Sequence, residues 1–182
     1  MFSQLRPALT LLAGFSLLLG LGYPLAMTGI AQVLFPRQAG GSLVERDGTV
    51  VGSALIGQAF TRDGYLHPRP SAGGYDASNS GGTNLGPSSK TLIADVTARA
   101  AAFAAQPAPS DAVTASASGL DPHITPATAQ AQVARIAQAR GIEPAAVEAA
   151  IAGATSGPGF GFVGARLVNV LAVNLALDAA RP

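Results

Sequence analysis

Between Arg6 and Arg37 run 30 residues without a Lys, Arg, Asp or Glu, from Pro7 to Pro36. A helix that crosses a bilayer needs about 20 mostly apolar residues, and this run exceeds that need. Gly14, Gly20, Gly22, Gly29 and Pro24 interrupt it. Membrane helices tolerate such residues better than soluble ones, because neighbouring groups re-satisfy the freed backbone. Gly14, Gly20 and Gly22 also leave room for another helix to approach closely. A cleaved signal peptide is the competing reading: Arg6 is its positive end, Ala8 to Leu21 its apolar part, and Gly29-Ile30-Ala31 its small-residue site. Yet the apolar stretch continues through Val33, Leu34 and Phe35, beyond the roughly 7–15 residues of a signal's apolar part. Length therefore favours a retained transmembrane helix over 7–35, after a short N-terminal stretch over 1–6. Short positive segments stay cytoplasmic. With Arg6 in that stretch, the domain over 36–182 is expected outside the cytoplasm.

Composition narrows the function of that domain. With Arg6 set aside, ten of the eleven Lys and Arg residues and all ten acids follow the anchor, so it is neutral and presents no electrostatic case for nucleic acid. The chain has no cysteine, which removes disulfides and thiolate metal sites. His67 and His123 stand 56 positions apart, which is no ligand spacing for a catalytic zinc wanting three protein donors.

The domain reads as α+β, a mixed α/β domain behind a single N-terminal transmembrane helix. Leu43–Arg46 and the stretch from Thr49 flank Asp47-Gly48, a pair suited to a tight hairpin turn, which gives a hairpin over 43–55. Helices are expected over about 91–106, 125–140, 144–152 and 166–180. The first carries Leu92, Ile93, Val96, Ala100 and Phe103 on one face and an Asp95/Arg99 pair at i,i+4. Thr125 is a natural N-cap before Pro126, and Gly141 a natural stop. The stripe Ala129, Val133, Ile136 and Ala137 faces the core, and Gln130 and Gln132 face solvent. The apolar run Leu167 to Leu177 holds two Asn and is too short and polar to span a membrane. Asp121-Pro122-His123 reads as a turn before a helix.

The long stretch 61–89 lacks periodicity, and loops of that length are usually functional or disordered. Tyr65, Leu66, His67, Tyr75 and Leu85 give it something to bury, while Arg62, Asp63, Arg69 and Asp76 could pair within it. Its glycine-rich part invites a nucleotide reading. Gly81 and Gly86 have the spacing of a phosphate-binding loop, but Pro87, Ser88 and Ser89 stand before Lys90, and no buried strand precedes it. Ser88 and Lys90 would suit an exported Ser–Lys hydrolase, but residues two apart do not face each other on a helix. An ordered loop packed on the domain and a partner-facing surface both remain.

Four stretches carry a family resemblance: R-P-A-L-T at 6–10, Y-D-A-S-N-S-G-G-T-N-L-G-P-S at 75–88, G-L-D-P-H-I-T-P at 119–126 with Q-V-A-R-I-A-Q-A-R-G following, and V-N-V-L-A-V-N-L-A-L-D at 168–178. The chain resembles the KdpC family, small subunits of the bacterial high-affinity potassium-transporting P-type ATPase. The resemblance implies a non-catalytic subunit on the cytoplasmic membrane, single-pass, with its N-terminus inside. It implies three partners: a channel-like potassium-translocating subunit, a P-type ATP-hydrolysing subunit and a small single-helix subunit. It also implies a role in assembly and as a catalytic chaperone raising ATP affinity, so ATP enters as a cofactor through the family alone. Tyr75, Asp76, Asn79, Asn84 and Lys90 are the residues by which the loop would meet a partner. One departure stands out. The family usually reads G-E-P-R-V-N-V where this chain has Gly164-Ala165-Arg166-Leu167-Val168-Asn169-Val170, so an acidic residue and a proline are missing. A secreted binding protein is the remaining alternative, and it requires a mature N-terminus near Gln32.

Overall fold

Asp47 and Gly48 take positive φ angles of 53° and 74°, the left-handed geometry a two-residue hairpin turn demands. They join β1 (Leu43–Arg46) to β2 (Thr49–Ser53) in a two-stranded sheet. The computed structural model describes residues 2–103, 105–159 and 161–180. Met1 of the expected N-terminal stretch, Ala104 of the expected helix 91–106, and Arg181 and Pro182 at the domain's end lie outside the described residues.

The chain forms two compact units, 1–43 and 44–182. The first is dominated by α1 (Leu5–Leu34), 30 residues long and apolar enough to cross a membrane, with none of its apolar window buried. A wider π-helical turn at Leu18–Gly22 interrupts its regular hydrogen bonding. A short α2 (Pro36–Ala39) follows.

The second unit holds α3 (Lys90–Ala102), α4 (Ser110–Val113), β3 (His123–Ile124), α5 (Pro126–Gln130), α6 (Val133–Arg140), α7 (Pro144–Gly153), β4 (Thr155–Ser156), β5 (Leu167–Asn169) and α8 (Val170–Ala179). Strand β5 lies between β3 and β4, antiparallel to both, with Val168 opposite Ile124 on one side and Thr155 on the other. Ile124 and Val168 join Val133, Ile136, Val147, Ile151, Val173 and Leu177 in the core. Each such side chain contributes about 1.5–3 kcal/mol when fully buried, so the small sheet and α5–α8 form one packed body. The expected stripe of Ala129, Val133, Ile136 and Ala137 is buried throughout.

Three elements differ from expectation. The expected helix 125–140 is two helices that meet at Ala131 and Gln132. Gln132 is only 4% exposed rather than a surface residue, because its amide serves the backbone of a distant segment. The expected helix 166–180 begins as β5, whose short apolar run pairs in the sheet, and periodicity cannot tell such a run from a helix. Asn169 then caps α8, its side-chain oxygen accepting the Ala172 N–H at 3.0 Å. Third, α3 buries no residue, and Ile93 on its expected inner face is 56% exposed.

Candidate functional site

The segment from Arg62 to His67 forms a single turn, the Tyr65 N–H donating to the Arg62 carbonyl at 3.0 Å, and with no helix or strand its other backbone groups need partners elsewhere. Side chains of α6 and α8, together with Gln132 just before α6, supply them. Asn174 lies one helical turn before Asp178, which puts both on one face of α8. The Asn174 side chain accepts from the Leu66 N–H at 2.7 Å and donates to the Leu66 carbonyl at 3.0 Å. It thus mimics a strand partner, and Leu66 itself is fully buried. Gln132 does the same for His67, accepting its N–H at 2.9 Å and donating to its carbonyl at 3.1 Å. Arg135 donates to the Asp63 and Tyr65 carbonyls, and Arg140 to the Gly64 carbonyl. Burial and the Arg135 charge both lower the pKa of His67, outweighing its contact with the Arg62 carbonyl and the attraction of Asp63.

Asp178 closes this clamp. Its carboxylate accepts from Arg140 at 2.9 Å, from the Tyr65 hydroxyl at 3.1 Å and from Arg46 of β1 at 3.1 Å. Burial pushes its pKa up, but the bonds from Arg140, Tyr65 and Arg46 outweigh it and hold the carboxyl below its ordinary range. The Tyr65 ring carries two guanidiniums, Arg62 at 4.6 Å and Arg140 at 4.8 Å from its centroid. Cation–π contacts of this kind add about 0.5–2 kcal/mol each. Arg69 pairs with Asp121 at 3.2 Å instead of within the loop, and Asp121 also accepts the His123 N–H at 3.0 Å. Asp121 thus fixes the backbone at His123, which opens β3, so a strand and not only a turn lies between Asp121-Pro122 and α5.

Beyond this anchored half, the loop rises into solvent. Tyr75 sits at φ +63°, its N–H donating to Ser71 and its hydroxyl to the Arg69 carbonyl at 2.5 Å; burial raises its pKa. Asp76 accepts from the hydroxyl and the N–H of Ser78, which lower its pKa in that order. The Asn79 N–H donates to the Asp76 carbonyl at 3.0 Å. Asn84, at φ +54°, and Lys90 at the start of α3 are exposed. Tyr75 and Asp76 fall in a turn over 73–76, and Asp76 and Asn79 bound the next one over 76–79, with Asn84 and Lys90 further along the same exposed arm. Leu85 stays 37% exposed rather than packing inward.

Two amides of the glycine-rich stretch are already spent on other backbone groups. The Gly81 N–H donates to the Ser118 carbonyl at 2.9 Å, and the Ser89 N–H to the Gly86 carbonyl at 2.9 Å. Ser89 caps α3 by accepting the Leu92 N–H at 3.3 Å. Ser88 and Lys90 are both exposed, which denies them the burial that a lysine base needs. Among the described residues, no three His, Asp or Glu side chains group as metal ligands.

Comparison with known proteins decides the family. The family described as "K+-transporting ATPase, c chain" matches residues 5–179. The chain belongs to the KdpC family. Curated relatives bear the name potassium-transporting ATPase KdpC subunit. One from Cereibacter sphaeroides is 58% identical over 183 residues, covering 99% of each chain. One from Rhodospirillum rubrum is 55% identical over 190 residues, covering 100% of this chain and 98% of its own. One from Caulobacter vibrioides is 54% identical over 189 residues, covering 100% and 96%. The match gives no support to the hydrolase or secreted-protein alternatives.

The clamp residues Gln132, Arg135, Arg140, Asn174 and Asp178 were not singled out as a site by the sequence. A signal for two of them was present, because Asn174 and Asp178 recur at i,i+4 within an otherwise apolar helix of this KdpC family member. Both are carboxamide or carboxylate groups on the face that meets the core, where an unpaired polar group would be costly.

Proposed function

We propose that the chain is a non-catalytic accessory subunit of a potassium-transporting ATPase complex in the bacterial cytoplasmic membrane. The observation that carries this is the single family match running through both the apolar helix and the domain. In this reading α1 crosses the membrane once, with residues 1–6 inside and the domain over 36–182 outside. The clamp around residues 62–67 keeps the domain rigid, and the arm of Tyr75, Asp76, Asn79, Asn84 and Lys90 meets the channel-like or the ATP-hydrolysing subunit. A small single-helix subunit is the third partner.

A domain outside the membrane cannot touch cytoplasmic nucleotide. An effect on the pump subunit's ATP affinity would therefore be a coupling free energy transmitted through the assembled complex, typically about 1–3 kcal/mol or 5–150-fold in affinity. Two measurements test the reading. The complex is prepared with and without this chain, and potassium-stimulated ATP hydrolysis is followed against ATP concentration. A rise in KM for ATP on omission is expected, and unchanged KM and turnover would overturn the chaperone role. Because the chain has no cysteine, Asn84→Cys provides a single thiol. Labelling of whole cells by a membrane-impermeant maleimide is expected, and labelling only after lysis would reverse the topology.

A further inference from the structure

Two cavities of about 310 Å3 each flank the Tyr65 ring. The one between the hairpin and α8 is walled by Val51, Phe60, Leu171 and Leu175 on its apolar side and by Arg46 and Arg62 on its polar side. A cleft of this size lies at the lower end of the roughly 300–1,000 Å3 that hold small ligands.

Most of its polar groups already have partners. The Gln58 amide is spent on the Val51 carbonyl at 2.9 Å, and Asn174 on Leu66. The Asp178 carboxylate is taken by Arg46, Arg140 and Tyr65. Arg62 donates to the Tyr65 hydroxyl at 2.9 Å, but among the described residues no carboxylate pairs with it. Asp47 reaches Arg46 only at 4.0 Å, from a position 95% exposed. The cavity's own lining thus holds two guanidiniums, Arg46 and Arg62, to one carboxylate, Asp178, which Arg140 also pairs from behind, leaving an excess of positive charge and unspent N–H donors beside an apolar wall. A planar guanidinium fork matches a carboxylate, and the wall matches a short aliphatic stem.

We propose that this cavity is a binding site for a carboxylate carried on a short apolar body, held by Arg62 and Arg46 and seated against Phe60, Leu171 and Leu175. The carboxylate comes either from a free organic acid or from an acidic side chain or chain end of a neighbouring subunit. The site goes beyond the accessory-subunit reading and stands without it.

The test uses the full-length chain, arginine-labelled with 15N, in phosphatidylcholine nanodiscs. Sodium butanoate is titrated at fixed ionic strength, with butanol as the uncharged control. Saturable shifts of the Arg62 and Arg46 Nε–Hε signals are expected, with none from butanol. Arg62→Gln raises the butanoate Kd about tenfold or more, the scale of one charge-assisted hydrogen bond. Arg62→Lys, which keeps the charge but not the fork, falls between. Repeating the titration on the assembled complex separates the sources: continued binding marks a free acid, and a blocked site marks a neighbouring subunit's carboxylate. The proposal is overturned by absence of saturation in the isolated chain, by equal binding of butanol, or by Arg62→Gln titrating like the parent protein.

Discussion

Asn174→Ala isolates the contact on which the loop's anchoring depends. Asn174 is 2% exposed, and its amide satisfies both the N–H and the carbonyl of the fully buried Leu66. Alanine removes both partners. Each stranded group costs about 1–3 kcal/mol, so the variant loses about 2–6 kcal/mol. A loss of about 4 kcal/mol lowers Tm by about 8–16 °C at this chain size. Thermal unfolding of the full chain in detergent, followed by circular dichroism, gives the shift. Hydrogen exchange at the Leu66 amide locates it, and protection is expected to vanish there first. A loss below about 1 kcal/mol with Leu66 still protected would refute the reasoning, because the clamp would then rest on other contacts.

Stability should fall as the medium is acidified, in two stages. The His67 pKa is depressed, so its contribution is whole above the ordinary histidine value near 6.5 and erodes as pH falls below it. The Asp178 pKa is also depressed, so its contribution is whole above the ordinary carboxylate range and lost as pH falls through the folded value. Denaturant midpoints measured against pH read both stages, and His67→Gln should erase only the upper one. Gly57→Ala should cost about 1–3 kcal/mol, because a Cβ there would lie 2.6 Å from the Asp121 carbonyl oxygen; an unchanged Tm would show that the close packing of 57 on 120–121 is wrong. Asn84→Asp should change stability by less than about 0.5 kcal/mol, because Asp also tolerates the φ of +54° there, yet reduce recovery of the assembled complex; full recovery would remove Asn84 from the partner surface.

Local chemistry made the hairpin, the Thr125 cap, the Gly141 stop and the buried stripe of α5 and α6 legible, because each depends on neighbours within a few residues. Asp47-Gly48 needs only its own backbone to turn, and Gly141 takes φ +64° at the helix end as read. What escaped depends on distant chain. Gln132 looked like a surface residue because its partner, the His67 backbone, lies 65 positions away. The sheet escaped because β3, β4 and β5 are two or three residues each, too short to carry a period. Within the candidate site, Tyr75 and Asp76 follow from local turn chemistry. The clamp on residues 62–67 is set by Gln132, α6 and α8, whose polar residues declare themselves only once the core is assembled.

Membership of a working pump complex can be tested in a single preparation. The chain, tagged at Pro182, is extracted in mild detergent from potassium-starved bacteria, and its companions are identified. Co-elution of a P-type ATPase and a multi-spanning channel-like protein, with potassium-stimulated ATP hydrolysis lost when this chain is deleted, is the predicted result. Recovery of the chain alone, soluble and trimmed near Gln32, would contradict it.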